Sequence, residues 1–244
     1  PLNLSPARFE MRWKSIHGSL MRFLRPKAAF KFMLTALIDY ESGNLHSAQK
    51  AFERMAAELP NEEVIVTSDP EVLRRADRLV LPGDGAFPAC KAALVEKTGL
   101  YEALLEAVEA DAKPFLGICV GMQMMASFGH EYQTTPGLDW IAGDIRPIKP
   151  TDPRLKVPHM GWNDLVITGA HPVLAGLKNG DHAYFVHSYH FVLQDVTQRL
   201  AHVDYDGEIS AIVSSGTRIG MQFHPEKSQG TGLRLISNFL NWRP

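Results

Sequence analysis

Residues 114–123, PFLGICVGMQ, carry a short apolar stretch into one of only two cysteines in the chain, with a glycine two positions before Cys119 and another two positions after it. A buried strand running into a helix-forming segment is the repeating unit of an α/β sheet. The same unit recurs upstream, where LTALID (34–39), EVIVT (63–67) and RLVLPG (78–83) read as strands. After the first of them, Leu45, Ala48, Phe52, Met55 and Leu59 recur at helical spacing and form one apolar face. Helical segments are expected near 88–95, 99–111 and 121–128. This alternation predicts an open, mixed and mostly parallel sheet with helices on both faces. Beyond residue 140, closely spaced strands near 164–168, 183–187, 199–204, 209–214 and 218–223 should add antiparallel strands to that sheet, and a helix near 228–241 closes the chain.

The chain has 244 residues, 45% hydrophobic and 21% charged, enough to bury a sizeable core. It contains no uncharged apolar run of the length a membrane-spanning helix needs. Cys90 and Cys119 form neither a disulfide framework nor a zinc pattern, which fits a reducing compartment. The net charge of -2 is unevenly spread. Residues 1–32 hold seven basic side chains (Arg8, Arg12, Lys14, Arg22, Arg25, Lys27, Lys31) and one acidic, Glu10, leaving eighteen basic and twenty-six acidic residues for the rest. That basic segment reads as an extension separate from a domain at 33–244. It is open to three readings: sequence upstream of a start at Met33, a partner arm, or a targeting peptide. The acidic body does not suit broad nucleic-acid binding, and no phosphate-cradling glycine loop is present.

At Cys119 the chain passes from strand to helix through a sharp turn. Gly117 and Gly121 remove side chains where backbone must approach backbone, the steric logic of the G-x-S-x-G nucleophile elbow with sulfur in place of oxygen. The N-terminus of the following helix should favour a thiolate and offer N–H groups to an oxyanion. Cys90 has no such setting and reads as a small buried hydrophobe. A nucleophilic cysteine needs a base, and GMQFHPEKSQ (220–229) supplies His224 and Glu226, two apart in an extended segment and so on one side, with Pro225 restricting the backbone between them. LPGDGAFP (81–88) ends another strand, so its Gly83–Gly85 loop lies in the crevice at the strand ends that also receives Cys119.

Together, G-I-C-x-G-M-Q, the earlier P-G-x-G-A-F and the late H-P-E-K-S resemble the class I (triad) glutamine amidotransferases. With DYESGNLHS (39–47), PHMGWN (158–163) and YFVHSY (184–189) in the same order, the chain is similar to the glutaminase subunits of imidazole glycerol phosphate synthases of histidine biosynthesis, over about residues 33–243. The resemblance implies that Cys119 attacks the side-chain amide of L-glutamine, that His224 is general base and acid, and that Glu226 orients it. Backbone N–H groups of the Gly83, Asp84, Gly85 loop and of Val120 would hold the oxyanion. Gly85, Gln123, His187, Ser188 and Tyr189 would bind glutamine, with Gln123 one helical turn after Cys119.

The resemblance further implies a (β/α)8-barrel cyclase subunit as heterodimer partner, which receives the ammonia. Candidate contacts to it are Asn44, Trp162, Tyr184 and Lys227. No metal or organic cofactor is implied, no synthase domain is expected to follow Pro244, and the family points to a prokaryotic cytoplasm. Asp84 stands where many members carry an apolar residue, so its carboxylate is expected to point away from the oxyanion. Two other readings stand beside this one: a glutaminase serving another synthase or a stand-alone γ-glutamyl hydrolase, and a catalytically silent subunit that kept the fold. PHMGWN and DYESGN weigh against the first, and Cys119, His224 and Glu226 against the second.

Overall fold

The computed structural model describes residues 32–41 and 44–244; the basic segment, but for Phe32, and two residues of the DYESGN stretch lie outside them. The first half runs β1 (Met33–Ile38), α1 (Leu45–Ala56), β2 (Glu62–Thr67), α2 (Pro70–Arg75), β3 (Arg78–Gly83), α3 (Phe87–Glu96), α4 (Leu100–Leu105), β4 (Phe115–Cys119) and α5 (Val120–Gln123). It continues with β5 (Ala126–Glu131), β6 (Gln133–Pro136), β7 (Ile141–Pro147), β8 (His159–Asp164), β9 (Val166–Ile167), β10 (His182–His187), β11 (Tyr189–Leu193), β12 (Arg199–Asp204), β13 (Glu208–Ser215), β14 (Arg218–Met221) and α6 (Gln229–Asn241).

Eight strands form the main sheet in the order β2-β1-β3-β4-β14-β13-β12-β9. The first five are parallel neighbours and the last three are added antiparallel. Every residue of β3 and β4 is buried, which a central parallel strand achieves only when both faces of its sheet are covered. The helices supply that cover in groups: α1 packs against α6, and α2 against α4. The apolar stripe of α1 (Ala48, Ala51, Phe52, Met55, Ala56) is the buried one, as its 3.6-residue spacing dictates.

Two differences from the sequence reading bear on the site. Residues 121–128, expected as a helix, are helical only over Val120–Gln123. The chain then turns, Leu138 N–H donating to the Met124 carbonyl and Trp140 and Ile141 N–H to that of Met125, and Ala126 begins β5. Met124 and Met125 are fully buried, so tertiary burial overrides the helical propensity of MQMMA. The return stroke depends on Gly137, where a Cβ would lie 1.9 Å from the Ala126 carbonyl oxygen. The second difference is that the later strands do not all join the main sheet: β11-β7-β5-β6 make a four-stranded sheet and β10-β8 a two-stranded ribbon.

Among the described residues no helix is long and apolar enough to cross a membrane.

Candidate functional site

Three parallel strands side by side deliver their carboxyl ends to one place. Gly83 of β3 lies opposite Cys119 of β4, and Met221 of β14 opposite Ile118. The residues that follow β14 therefore emerge beside the cysteine: Gln222, then His224. This is the crevice that an open parallel sheet offers a ligand.

Cys119 has φ 55° and ψ −111°, a left-handed backbone that a non-glycine residue holds at a cost of roughly 1–3 kcal/mol. Close packing of backbone maintains it. A Cβ on Gly121 would lie 1.8 Å from the Leu81 carbonyl oxygen, and one on Gly117 2.5 Å from that of Gly121. With both positions bare, β3, β4 and the first turn of α5 touch, and the sulfur is carried out of the sheet. Because α5 is only four residues long, its dipole is short, and the side chains around the sulfur matter beside it.

The first such partner is His224. It is buried, and its Nδ1 lies 2.9 Å from Oε1 of Glu226, itself buried. Burial alone works against a charged ring. Hydrogen bonds and charge from Cys119 and Glu226 outweigh it and lift His224 from 6.5 to about 10. The second partner was not singled out in the sequence: Gln222, fully buried, points its Nε2 at Cys119 Sγ from 3.8 Å. The two-residue spacing from His224 was the available signal, since alternate residues of an extended segment face one way.

A pocket of about 260 Å³ opens in front of the sulfur, lined among others by Gly85, Val120, Gln123, His187, Ser188 and Tyr189. Gly85 has φ 130°, open only to glycine. Two acidic residues, Asp84 and Glu131, also line it. Asp84 is exposed, and its carbonyl oxygen accepts from Cys90 Sγ at 3.9 Å. Glu131 Oε2 accepts the Phe87 N–H at 2.7 Å, satisfying one of the open N–H groups at the N-terminus of α3. Sequence reasoning passed over Glu131 because β5 was not foreseen.

From His187 and Tyr189 in the pocket lining, a directed chain of hydrogen bonds runs back into the protein. Asn163 Nδ2 lies 3.3 Å from His159 Nε2, His159 Nδ1 lies 3.0 Å from His187 Nε2, and His187 Nδ1 lies 2.8 Å from the Tyr189 carbonyl oxygen. An amide N–H at one end and a carbonyl at the other leave one consistent arrangement, with each ring protonated on Nδ1 and neutral. Burial pushes His159 down to about 4. Burial, aided by the neighbouring His159, His190 and His224, pushes His187 to about 3. The Tyr189 carbonyl also accepts Gln123 Nε2, at 3.2 Å.

Of the residues considered for a partner surface, Trp162 and Tyr184 are paired across the β10-β8 ribbon with ring centroids 5.7 Å apart, and Trp162 is 46% exposed. The Tyr184 N–H donates to Ser228 Oγ and its carbonyl accepts the His224 N–H, so this ribbon is tied to the segment that carries Lys227. Asn44 caps α1, its side chain accepting the Ser47 N–H at 3.4 Å. Among the described residues no group of three His, Cys, Asp or Glu is arranged to hold a metal ion.

The family profile described as glutamine amidotransferase class-I matches residues 36–242. The chain belongs to the class-I glutamine amidotransferases. Among curated relatives of this amidotransferase, the imidazole glycerol phosphate synthase subunit HisH of Ruegeria pomeroyi is 65% identical over 87% of this chain and 100% of that protein. The subunit of the same name from Cereibacter sphaeroides is 63% identical over the same shares. Among solved structures, a glutamine amidotransferase superimposes with a TM-score of 0.63 at 20% identity, covering 84% of this chain and 97% of that one. Another, from Thermotoga maritima, does so with a TM-score of 0.54 at 17% identity, covering 80% and 76%. At these identities the structural likeness speaks for the amidotransferase fold alone.

Proposed function

We propose that this amidotransferase is the glutaminase subunit of an imidazole glycerol phosphate synthase, hydrolysing L-glutamine to glutamate and passing the ammonia to a second subunit. The observation that carries the reading is the joining of Cys119, His224 and Glu226 at the ends of β4 and β14, in a chain so similar to subunits bearing that name.

Glutamine enters the pocket with its amide toward Cys119. Its α-ammonium meets the Glu131 carboxylate and the oxygen of Gln123, whose amide nitrogen is engaged within the protein. The thiolate attacks the amide carbon, and the carbonyl electrons move onto oxygen. Backbone N–H groups of the Gly83–Gly85 loop and of Val120 stabilise that oxyanion. The His224 imidazolium gives its proton to the amide nitrogen, the C–N bond breaks, and ammonia leaves a thioester on Cys119. Neutral His224 then takes a proton from water as the water attacks the thioester. Collapse expels the thiolate, releases glutamate and restores the thiolate–imidazolium pair, with Glu226 holding the ring throughout.

The partner in this reading is a (β/α)8-barrel cyclase, which uses the ammonia to make imidazole glycerol phosphate and aminoimidazole carboxamide ribotide. Exposed Trp162, packed on half-buried Tyr184, is its docking feature, since a large aromatic is a good interface centre, with Lys227 and Asn44 as further contacts. The heterodimer would work in the cytoplasm. The test is glutamate release by the purified chain, alone and with a histidine-pathway cyclase and its nucleotide substrate. Stimulation by the cyclase supports the reading. Full hydrolysis alone, indifferent to the cyclase, would favour a stand-alone hydrolase.

A further inference from the structure

Gln222 is fully buried next to the nucleophile, immediately after the strand that neighbours β4, and no step above uses its side chain. A buried primary amide can be turned either way about its last torsion, so what it offers the sulfur depends on what its other end meets. Here the other end is decided from a distance. The Tyr189 carbonyl can only accept, so the group that Gln123 turns toward it, at 3.2 Å, is its NH2. The same nitrogen lies 3.1 Å from Gln222. Gln222 must therefore turn its oxygen to Gln123, which leaves its own NH2 facing Cys119 Sγ, 3.8 Å away.

We propose that Gln222 is a positioning residue for the nucleophile: its amide, fixed in one orientation by the Tyr189 carbonyl through Gln123, donates to Cys119 Sγ and holds the sulfur toward the pocket as a thiolate. The inference rests on the reading of Cys119 as the nucleophile. This donor adds to His224, so two hydrogen-bond partners from one segment meet the sulfur. It also gives Gln123 a second task besides binding glutamine, since its amide sets the direction of its neighbour. The four-residue helix after Cys119 has little dipole to offer, and a donor from the segment after β14 supplies what it lacks.

The test is the rate of Cys119 alkylation by iodoacetamide, read by mass spectrometry of the Cys119 peptide across a pH series, with folding checked by circular dichroism. Gln222→Met keeps the length of the side chain and removes the donor. Its alkylation at neutral pH should fall about tenfold, the factor that one hydrogen bond to an anion supplies, with the midpoint moved to higher pH. Gln222→Glu, of the same shape but offering an acceptor, should fall further. It also carries the test if the methionine variant does not fold. Gln123→Met, which leaves Gln222 in place but free to turn, should lie between.

The groups that can also move this profile are His224 with Glu226 behind it, His187 on β10, and Asp84 and Glu131 in the pocket wall. All are unchanged in the three variants. With glutamine as substrate, Gln222→Met should lower kcat more than it raises KM. A purely structural role would lower the melting temperature and leave the alkylation midpoint where it was, and that result in a folded variant overturns the proposal. Cys119→Ala is assayed alongside: glutamine hydrolysis surviving there would overturn the proposed function itself, a separate outcome.

Discussion

His224 and His187 are equally hidden from solvent, at 4% and 6% exposure, and close enough to influence one another, yet the structure holds them in opposite charge states. Burial disfavours the imidazolium in both. His224 faces a carboxylate at 2.9 Å and a thiol that can ionise, and these lift it to about 10. His187 faces another imidazole and a backbone carbonyl, and falls to about 3. Depth does not decide the charge of a buried histidine; the chemistry of its partners does. The division suits two tasks, a proton carrier beside the sulfur and a neutral hydrogen-bond chain behind the pocket lining at His187.

The largest effect is expected from making His224 resemble its counterpart. Glu226→Gln keeps the shape and removes the charge, and glutamine hydrolysis should fall by about 10²- to 10⁴-fold in kcat, the range seen when the orienting acid of a triad loses its charge. An unchanged kcat would mean that Cys119 alone sustains the charged ring.

Stability against pH separates the two histidines further. His187 and His159 have folded values below their unfolded value of 6.5, so below that pH the unfolded chain binds protons that the folded one refuses. Denaturant unfolding should show stability falling as pH drops from 6.5 toward 4, by up to about 1.4 kcal/mol per pH unit for each histidine. His224 contributes with the other sign. Its share is complete below 6.5 and is lost as pH rises through about 10. A stability profile flat on the acid side would break the assignment of a neutral hydrogen-bond chain.

The smallest effect should come from the end of the neutral chain. Asn163 also donates to the Asp204 carbonyl at 3.0 Å, and Asn163→Ala should cost about 1 kcal/mol at neutral pH while easing protonation of His159, so that the further loss of stability below pH 6.5 becomes smaller.

Much of this fold is legible in the sequence, and the reason is local. β1, β3 and β4 are short apolar runs because parallel strands are buried on both faces, and α1 announces itself by its spacing. The Cys119 turn is legible from the glycines on either side, since a steric requirement leaves its mark on neighbours in the chain. The neutral hydrogen-bond chain leaves no such mark. His159 meets His187 only through the antiparallel register of β8 and β10, 28 residues apart, and Gln123 meets Gln222 across 99. β5, with Glu131, is concealed by a methionine-rich segment that reads as helix until the turn at Gly137 is known.

The most direct measurement of the central claim is covalent trapping with 6-diazo-5-oxo-L-norleucine, a glutamine analogue that alkylates an attacking nucleophile, followed by peptide mass spectrometry. The account predicts one adduct, on Cys119, formed in step with the loss of glutaminase activity and prevented by excess glutamine. An adduct on Cys90, or full loss of activity with Cys119 unlabelled, would contradict it.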